Sequence, residues 1–435
     1  MTACNDELPD PDLIYLSCSL FPPRQVSDPA QQQDGMAKYT SYKVNTLVTS
    51  ATPAFPFQNS SVIRRYSDFV WLTNALSIEF AGSIVPPLPE KQAVSRFNAE
   101  FVEGRRRQLE KFLIRVSLHP ELSGADALRV FLSADDIAFS LAKSSKSTEA
   151  TGDSGGGVLK WFKETKTVLA KDLVKSESDG QIEEITQYIT TLETQMKNVV
   201  QHTTSLVKKG KETANGMFEF GLAFTLLGQS EEDQLGTALT QMGHTADTLS
   251  VLSLEQAEKE GASFEDPMVD YIRLIASVKT ALAKRHDKRV TYSTCLAEVA
   301  AKQGALAKVQ GAAGKEDKVA SAEAALKGSE EGLAGAEKDF KEVNERVLRE
   351  VARFKVEKAA DMRKTVMDYI NLQIEYNKRM EQVWQALVPQ LENISVGGGG
   401  GRGEAGGDDR VRTNSELYGG KEGDANDKDE DLVGV

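Results

Sequence analysis

The sequence VIRRYSDFVW, residues 62–71, carries the change from strand to helix in the N-terminal part of the chain. A short apolar run ends in Arg64 and Arg65, and Tyr66 follows directly. Neighbouring side chains of a strand point to opposite faces, so the two arginines cannot line one pocket. We expect one structural or solvent-facing arginine and one whose forked guanidinium can grip a phosphate. A solvated sheet edge is the alternative that these residues alone leave open.

The region around this sequence predicts a small α+β domain over residues 12–136. Three stretches rich in β-branched or aromatic residues predict an antiparallel sheet: DLIYLSCSL (12–20), KYTSYKVNTLVT (38–49) and SVIRRYSDF (61–69). Three helical segments follow: DFVWLTNALSIEF (68–80), FVEGRRRQLEKFLIRVSLHP (101–120) and GADALRVFL (124–132). The proline-rich loop VPPLPEK (85–91) separates the first two helices, because proline fixes φ and removes a donor.

The remainder of the chain predicts an all-α coiled-coil bundle. Apolar residues recur at 3-4 spacing from Ile182 to Leu206, and at sevens from Val319 to Phe354 and from Met362 to Val383. Such heptads indicate long helices packed at shallow angles. Breaks near 226–233 and 309–318 predict three helices, the last about 75 residues or roughly 110 Å long. Helices of that length would leave apolar surface wet in a monomer, so we expect a dimer.

Composition sets the remaining boundaries. Residues 137–157 are predicted to be a flexible linker, 158–174 an amphipathic helix and 175–394 the bundle. Residues 1–11 and the Gly-rich, acidic segment 395–435 are expected to be disordered. Pro267 should kink the second helix of the bundle.

Several classes of function are disfavoured. The net charge of −13 argues against nucleic-acid binding. Three scattered cysteines and four isolated histidines predict no metal site, and no nucleotide loop is present, so we expect no cofactor and no enzyme. TGDSGGG (151–157) resembles a protease nucleophile segment but has no matching histidine. Without a membrane span or signal peptide in the sequence, we expect a cytosolic protein whose membrane contact is peripheral.

Further cations accompany Arg65. PPLPEK places Lys91 on a rigid loop, where it suits a second phosphate. GRRRQLEKF places Arg105, Arg106 and Arg107 near the start of a helix, where the local dipole favours anions and not cations. An anionic ligand for at least one of these arginines is therefore expected.

The motifs RRYSDF, PPLPEK and FVEGRRRQLEKF, in this order, resemble a PX domain, which binds phosphatidylinositol 3-phosphate. The helical half resembles a BAR domain, and SLHPEL, AFTLLGQSEE and FEDPMVDYIR add to the similarity. The pairing resembles sorting nexins of the sorting nexin 1 kind over residues 12–394.

The resemblance implies roles for single residues. Arg65 would hold the 3-phosphate, Tyr66 would stack on the inositol ring, Lys91 would meet the 1-phosphate and Arg105 would bind the 4- and 5-hydroxyls. Arg64 matches a family position without a ligand contact. The loop QAVSRFNAEF is short, and Val94 is its one clear apolar candidate for insertion into the bilayer.

Two further membrane elements are expected. VLKWFKETKTVLAKDLV (158–174) places Trp161, Phe162 and Leu169 on one face with lysines beside it, as in a helix lying at a membrane interface. A helix docked on the protein's own core is the alternative. Anionic headgroups could also meet basic residues of the bundle, with an ordinary solvated face as the alternative: Lys284, Arg285, Lys288, Arg289, Lys308, Lys315 and Lys318.

The resemblance thus implies a peripheral endosomal protein that binds phosphatidylinositol 3-phosphate and senses or generates curvature as a homodimer or as a heterodimer with another sorting nexin. It also implies sorting together with the cargo-recognition subunits of retromer. The alternative is a coiled-coil scaffold whose N-terminal domain binds a protein partner instead of lipid.

Overall fold

A computed structural model describes residues 25–34, 37–47, 59–91, 98–146, 173–231, 234–310 and 316–392. Its N-terminal domain contains an antiparallel sheet of β1 (Gln25–Asp34), β2 (Ala37–Leu47) and β3 (Asn59–Arg65), with β2 in the middle. Val44 of β2 lies opposite Val26 on one side and Val62 on the other.

The last two predicted strands are confirmed, although the chain becomes helical at Tyr66, within the predicted third strand. The predicted first strand, residues 12–20, lies outside the described residues. The described edge strand, β1, forms from QVSDPAQQQD, which carries little strand signal. A register shift between Ser27 and Ala30, with a positive φ at Asp28, makes a bulge that accommodates this segment at the sheet edge.

The helices pack their apolar faces on the sheet. They are α1 (Tyr66–Glu79), α2 (Ala99–Leu118) and α3 (Asp126–Ser133), with a short 3-10 turn at Leu122–Gly124. These confirm the three predicted helices of the domain. Their buried side chains form one core with β1 and β2, in which Phe69 contacts Phe112 and Phe131 edge to face.

A fourth helix, α4 (Asp136–Lys146), corrects the sequence prediction. The sequence predicts a flexible linker from residue 137, and this prediction is wrong for residues 137–146. Phe139 explains the difference, because it is buried in the domain core and contacts Trp71 and Phe131 edge to face.

The C-terminal half is a bundle of long helices, as predicted. It comprises α5 (Asp179–Gln229), α6 (Gln234–Glu260), α7 (Asp266–Val309) and α8 (Glu316–Glu392). The two predicted breaks are confirmed. Between α6 and α7 a π-helical turn at Gly261–Glu265 lies directly before Pro267, so the second predicted helix is interrupted where a kink was expected.

The predicted apolar periodicity is borne out with one exception. In α8 the heptad positions are buried or half-buried, and Phe340, Val347 and Phe354 lie deep in the core. In α5 the polar Thr203 is buried while Val199 and Leu206 are exposed. Thr203 is the one polar position of the predicted series, so the exception is limited to Val199 and Leu206; Val207 is buried in place of its neighbour Leu206.

The two halves of the molecule meet along a polar seam. Asp270 of α7 forms ion pairs with Lys111 and Arg115 of α2, at 2.7 and 2.8 Å. Glu121, which follows α2, pairs with Arg346 and Arg349 of α8 at 2.7 and 3.0 Å. These contacts dock the α+β domain on the middle of the bundle.

The centre of the seam is buried. Glu350 of α8 accepts a hydrogen bond from the backbone of Ile84 and lies 2.9 Å from His119 Nε2 and 2.7 Å from Arg353 Nη2. Burial alone would raise the pKa of Glu350, but its partners His119 and Arg353 and the Ile84 amide lower it to about 2. Glu350 is therefore a buried carboxylate that its neighbours keep charged.

Candidate functional site

Arg64 is the structural arginine of the pair. Its side chain is 1% exposed, and its guanidinium donates to the carbonyls of Phe131 and Ala134 at 2.9 and 2.5 Å. It also lies 4.2 Å from the ring centroid of Phe139. Arg64 thus ties β3 to α3 and α4, which confirms the expectation that the two arginines face opposite sides.

Arg65 is exposed on the other face of β3. Its backbone amide donates to Asp68 Oδ2 at 2.9 Å, in the first turn of α1. Its Nε lies 3.9 Å from Asp68 Oδ1, and its guanidinium lies 5.4 Å from the ring centroid of Tyr39. Arg65 is therefore anchored through its backbone while its guanidinium stays accessible to an anion.

Tyr66 connects Arg65 to the proline-rich loop. Its hydroxyl donates to the carbonyl of Pro89 at 2.6 Å, which fixes the loop against the start of α1. Burial raises the pKa of Tyr66, against the opposing effect of the nearby Arg105 charge, so the hydroxyl stays a neutral donor.

Arg105 projects from the second turn of α2 into the same place. Its guanidinium lies 4.7 Å from the ring centroid of Tyr66 and 4.3 Å from that of Phe101. Its Nη2 donates to the carbonyl of Glu90 at 3.0 Å. The neighbouring Arg106 is held by Glu103, Glu110 and the carbonyl of Val26. Of these two arginines, Arg105 is the one turned towards Tyr66.

Lys91 directly follows Glu90, whose carbonyl Arg105 binds, and its side chain is exposed. The structure therefore brings Arg65, Tyr66, Lys91 and Arg105 to one rim, formed by the end of β3, the proline-rich loop and α2. Val94 lies outside the described residues, as do the predicted insertion residues Trp161, Phe162 and Leu169.

The basic candidates of the bundle differ in their exposure and in their partners. Arg285, a candidate for a membrane-facing residue, is 3% exposed and is corrected to a structural role. Its Nε donates to Asn344 Oδ1 at 2.6 Å and its Nη2 to Asp179 Oδ1 at 2.9 Å. A charge pattern on one helix could not show that Asp179 and Asn344 of other helices would cover it.

The neighbours of Arg285 differ in their surroundings. Arg289 pairs with Asp179 at 2.8 Å and donates to the carbonyl of Val174 at 2.8 Å. Lys288 pairs with Asp339 at 2.7 Å on the surface. The other candidates among the described residues, Lys284, Lys308 and Lys318, are exposed, and Lys315 lies outside them.

Comparison with known proteins agrees with both halves of the architecture. A sequence model described as "PX domain" matches residues 52–135, and one described as "Vps5 C terminal like" matches residues 160–390. The second match spans more than half of the chain. The chain belongs to the sorting nexins of the PX-BAR type.

Relatives extend this result over nearly the whole sequence. Sorting nexin 1 of Arabidopsis thaliana is 30% identical over 385 residues, covering 87% of this chain and 93% of that protein. Sorting nexin-1 of Mus musculus is 30% identical, covering 85% of this chain and 72% of that protein. This sorting nexin thus combines the domains with which the family supports endosomal sorting and membrane curvature.

A solved structure shares the fold. The cryo-electron microscopy structure of the SNX-BAR Mvp1 tetramer aligns with a TM-score of 0.63 at 17% identity, over 84% of this chain and 99% of that one. Within the described part of the sorting nexin, no helix is long and apolar enough to cross a membrane.

Sequence reasoning missed residues that surround the rim. Asp68 is 7% exposed and binds Lys143 of α4 at 2.7 Å. Lys143 lay in the segment that was predicted to be a linker, so no periodic signal pointed to it. Asp68 was visible in RRYSDF as the third residue of a helix, where an acidic side chain can accept backbone amide hydrogens.

Proposed function

We propose that the PX domain of this sorting nexin binds phosphatidylinositol 3-phosphate at the rim formed by Arg65, Tyr66, Lys91 and Arg105. The observation that carries the proposal is the contact of the Arg105 guanidinium with the Tyr66 ring, directly beside the exposed Arg65. Two guanidinium groups next to an aromatic face suit a phosphorylated ring, since their forked donors match phosphate oxygens and hydroxyls.

The proposal also assigns the bundle a dimeric, curvature-sensing or curvature-generating role, as a homodimer or with another sorting nexin. Support comes from large apolar side chains left exposed near the ends of α5 and α8. Phe218 is 52% exposed and Ile370 is 44% exposed. Others in these regions are Phe220, Leu222, Leu226, Met367, Ile374, Trp384 and Val388. Large apolar side chains left exposed in such number favour a protein partner.

In the proposed cellular role, this sorting nexin is a peripheral protein of endosome membranes and supports retromer-linked transport of cargo in tubules. Two PX pockets and one curved face in a dimer would act together, because each bound contact raises the effective concentration of the others. The exposed Lys284, Lys308 and Lys318 are then candidates for contact with anionic headgroups. The segment 158–174, through Trp161, Phe162 and Leu169, and Val94 of the loop are proposed to insert into the leaflet.

Sedimentation with liposomes tests the lipid proposal. Wild type, Arg65→Ala and Arg129→Ala would be spun with liposomes that contain or lack phosphatidylinositol 3-phosphate. Arg129→Ala is the control, because it removes a PX-domain arginine that pairs with the exposed Asp126. Binding that requires the lipid, is lost in Arg65→Ala and survives in Arg129→Ala supports the pocket. Imaging the same samples for tubules tests the bundle.

The competing hypothesis is a coiled-coil scaffold whose PX-like domain binds protein partners. It predicts that wild type and Arg65→Ala sediment equally with both kinds of liposome. Such a result would overturn the phosphoinositide proposal and leave the dimeric bundle untouched.

A further inference from the structure

We propose that Lys143 is a positioning residue of the phosphoinositide pocket, which keeps the Arg65 guanidinium available by occupying Asp68. This inference rests on the proposed lipid function and names a residue outside the segment that matches the PX family, residues 52–135. It assigns a role to α4, the helix found in the first part of the expected linker.

The geometry centres on one carboxylate. Asp68 Oδ1 lies 2.7 Å from Lys143 Nζ and 3.9 Å from Arg65 Nε, while Asp68 Oδ2 accepts the backbone amide of Arg65 at 2.9 Å. Both cations thus approach the same oxygen, and the lysine holds the short, hydrogen-bonded position. The Arg65 guanidinium keeps only the longer contact with this oxygen.

The aromatic core holds Lys143 in place. Lys143 Nζ lies 5.4 Å from the ring centroid of Phe139, and Phe139 is buried against Trp71. The Lys143 side chain is 29% exposed and that of Asp68 is 10% exposed. This pair is therefore partly shielded from water, which strengthens it relative to a fully exposed ion pair.

The consequence for the ligand follows from competition. A guanidinium that forms a close pair with a carboxylate must break it before it can bind a phosphate. With Lys143 present, the charge of Asp68 is already compensated and Arg65 needs only to leave a 3.9 Å contact. Without the lysine, the Arg65 guanidinium, whose Nε is 3.9 Å from Asp68 Oδ1, should move onto that oxygen.

The test is a double-mutant cycle on liposomes with phosphatidylinositol 3-phosphate. Lys143→Gln should weaken binding about tenfold, the order of one charge-assisted hydrogen bond, and Lys143→Arg should restore it. Arg129→Gln removes the same charge from a surface pair and should leave binding unchanged. In an Asp68→Asn background, Lys143→Gln should have little effect, since no carboxylate remains to capture Arg65.

A measurement without lipid separates this inference from the pocket itself. Phenylglyoxal modification of Arg65, followed by peptide mass spectrometry, should slow severalfold in Lys143→Gln and recover in the double variant with Asp68→Asn. Melting temperatures of all variants check that the domain stays folded.

The outcomes are distinct. If wild type binds without dependence on the lipid, the proposed function fails, and the change in Arg65 reactivity still decides the role of Lys143. If Arg65 reactivity is the same in wild type and Lys143→Gln, the positioning role is overturned. The positioning role is also overturned if Lys143→Gln weakens lipid binding as much in the Asp68→Asn background as it does in wild type. Lys143 would then act without Asp68.

Discussion

The two halves of α8 meet different surroundings. From Phe340 to Phe354 the large apolar side chains are buried or half-buried against the chain's own elements, and Gly82 of the PX domain packs on Val343. From Val356 to Leu391 the helix still buries Tyr376, but many apolar residues are exposed. The stretch from Phe340 to Phe354 is covered by the chain's own elements, whereas the stretch from Val356 to Leu391 leaves an apolar surface exposed, where the proposed dimer partner would pack.

The largest effect is expected in the second half. The double substitution Ile370→Asp with Ile374→Asp would place two carboxylates in the proposed apolar dimer interface, and burying charge there costs several kcal/mol. We expect the dimer dissociation constant to rise about a thousandfold, measured by analytical ultracentrifugation. Thermal stability of the monomer should change little, because both residues are exposed in the single chain. An unchanged dimer would place the interface elsewhere.

A somewhat smaller effect is expected in the first half. Glu350→Gln removes the buried charge that faces His119 and Arg353, and breaking a buried pair costs about 3 kcal/mol. Urea unfolding at pH 7 would measure the loss of unfolding free energy. The control is Glu357→Gln, which replaces an exposed glutamate two turns further along α8. Equal unfolding free energies for wild type and Glu350→Gln would show that the seam does not depend on this charge.

The stabilisation by the charge of Glu350 has a defined pH dependence. The folded-state pKa of Glu350, about 2, lies below its ordinary value of 4.5. The stabilisation by its charge is thus complete above about pH 4.5 and is lost as the pH falls towards 2. The difference between wild type and Glu350→Gln should therefore narrow across this window. A difference that stays constant there would contradict the assignment.

Gly82→Ala should lower the free energy of unfolding by about 2 kcal/mol, because Gly82 packs on the first half of α8. Gly82 has a φ of 91°, which L-residues adopt with strain, and a methyl group would lie 2.9 Å from Val343 Cγ1. Gly104→Ala is the matched control, since nothing lies within 4 Å of its added carbon and alanine favours the interior of α2. The two substitutions should shift the melting temperature in opposite directions.

The smallest effect is expected at the surface of the second half. Lys364→Gln breaks an i,i+4 pair with Asp368 at 2.6 Å, and exposed pairs of this kind contribute less than about 0.5 kcal/mol. The unfolding free energy in urea and the dimer dissociation constant from ultracentrifugation should both be the same for Lys364→Gln and wild type. A marked loss of dimer would extend the partner surface to this face of α8.

The sequence predicted those features that depend on local periodicity. Alternation in VIRRYSDFVW separated Arg64 from Arg65, heptads located the long helices, and the sequences LLGQSEED and VQGAAGKEDK located their breaks. Features that depend on distant contacts were missed. β1 forms because β2 offers it a pairing edge, and Arg285 is buried because Asp179 and Asn344 come from other helices.

The same distinction applies to the candidate site. Motif order named Tyr66 and Arg105, which meet at the proline-rich loop in the structure, and it named Arg65 and Lys91 next to them in the chain; their lipid roles stay a prediction. It gave no indication of Lys143, whose position depends on the docking of Phe139 into the domain core. Composition around residue 143 resembles a linker, so only the packed structure connects it to Asp68.

The anchoring of Val174 has a consequence for the segment before it. The Val174 amide donates to Ser293 Oγ at 3.0 Å, and its carbonyl accepts from Arg289 at 2.8 Å. The end of α4 and Val174 are thus both held by packed elements, so the fold sets the two points between which the intervening residues must run. Because the cost of joining two fixed points rises only slowly with the length of the chain between them, insertions in that stretch should cost the protein little stability.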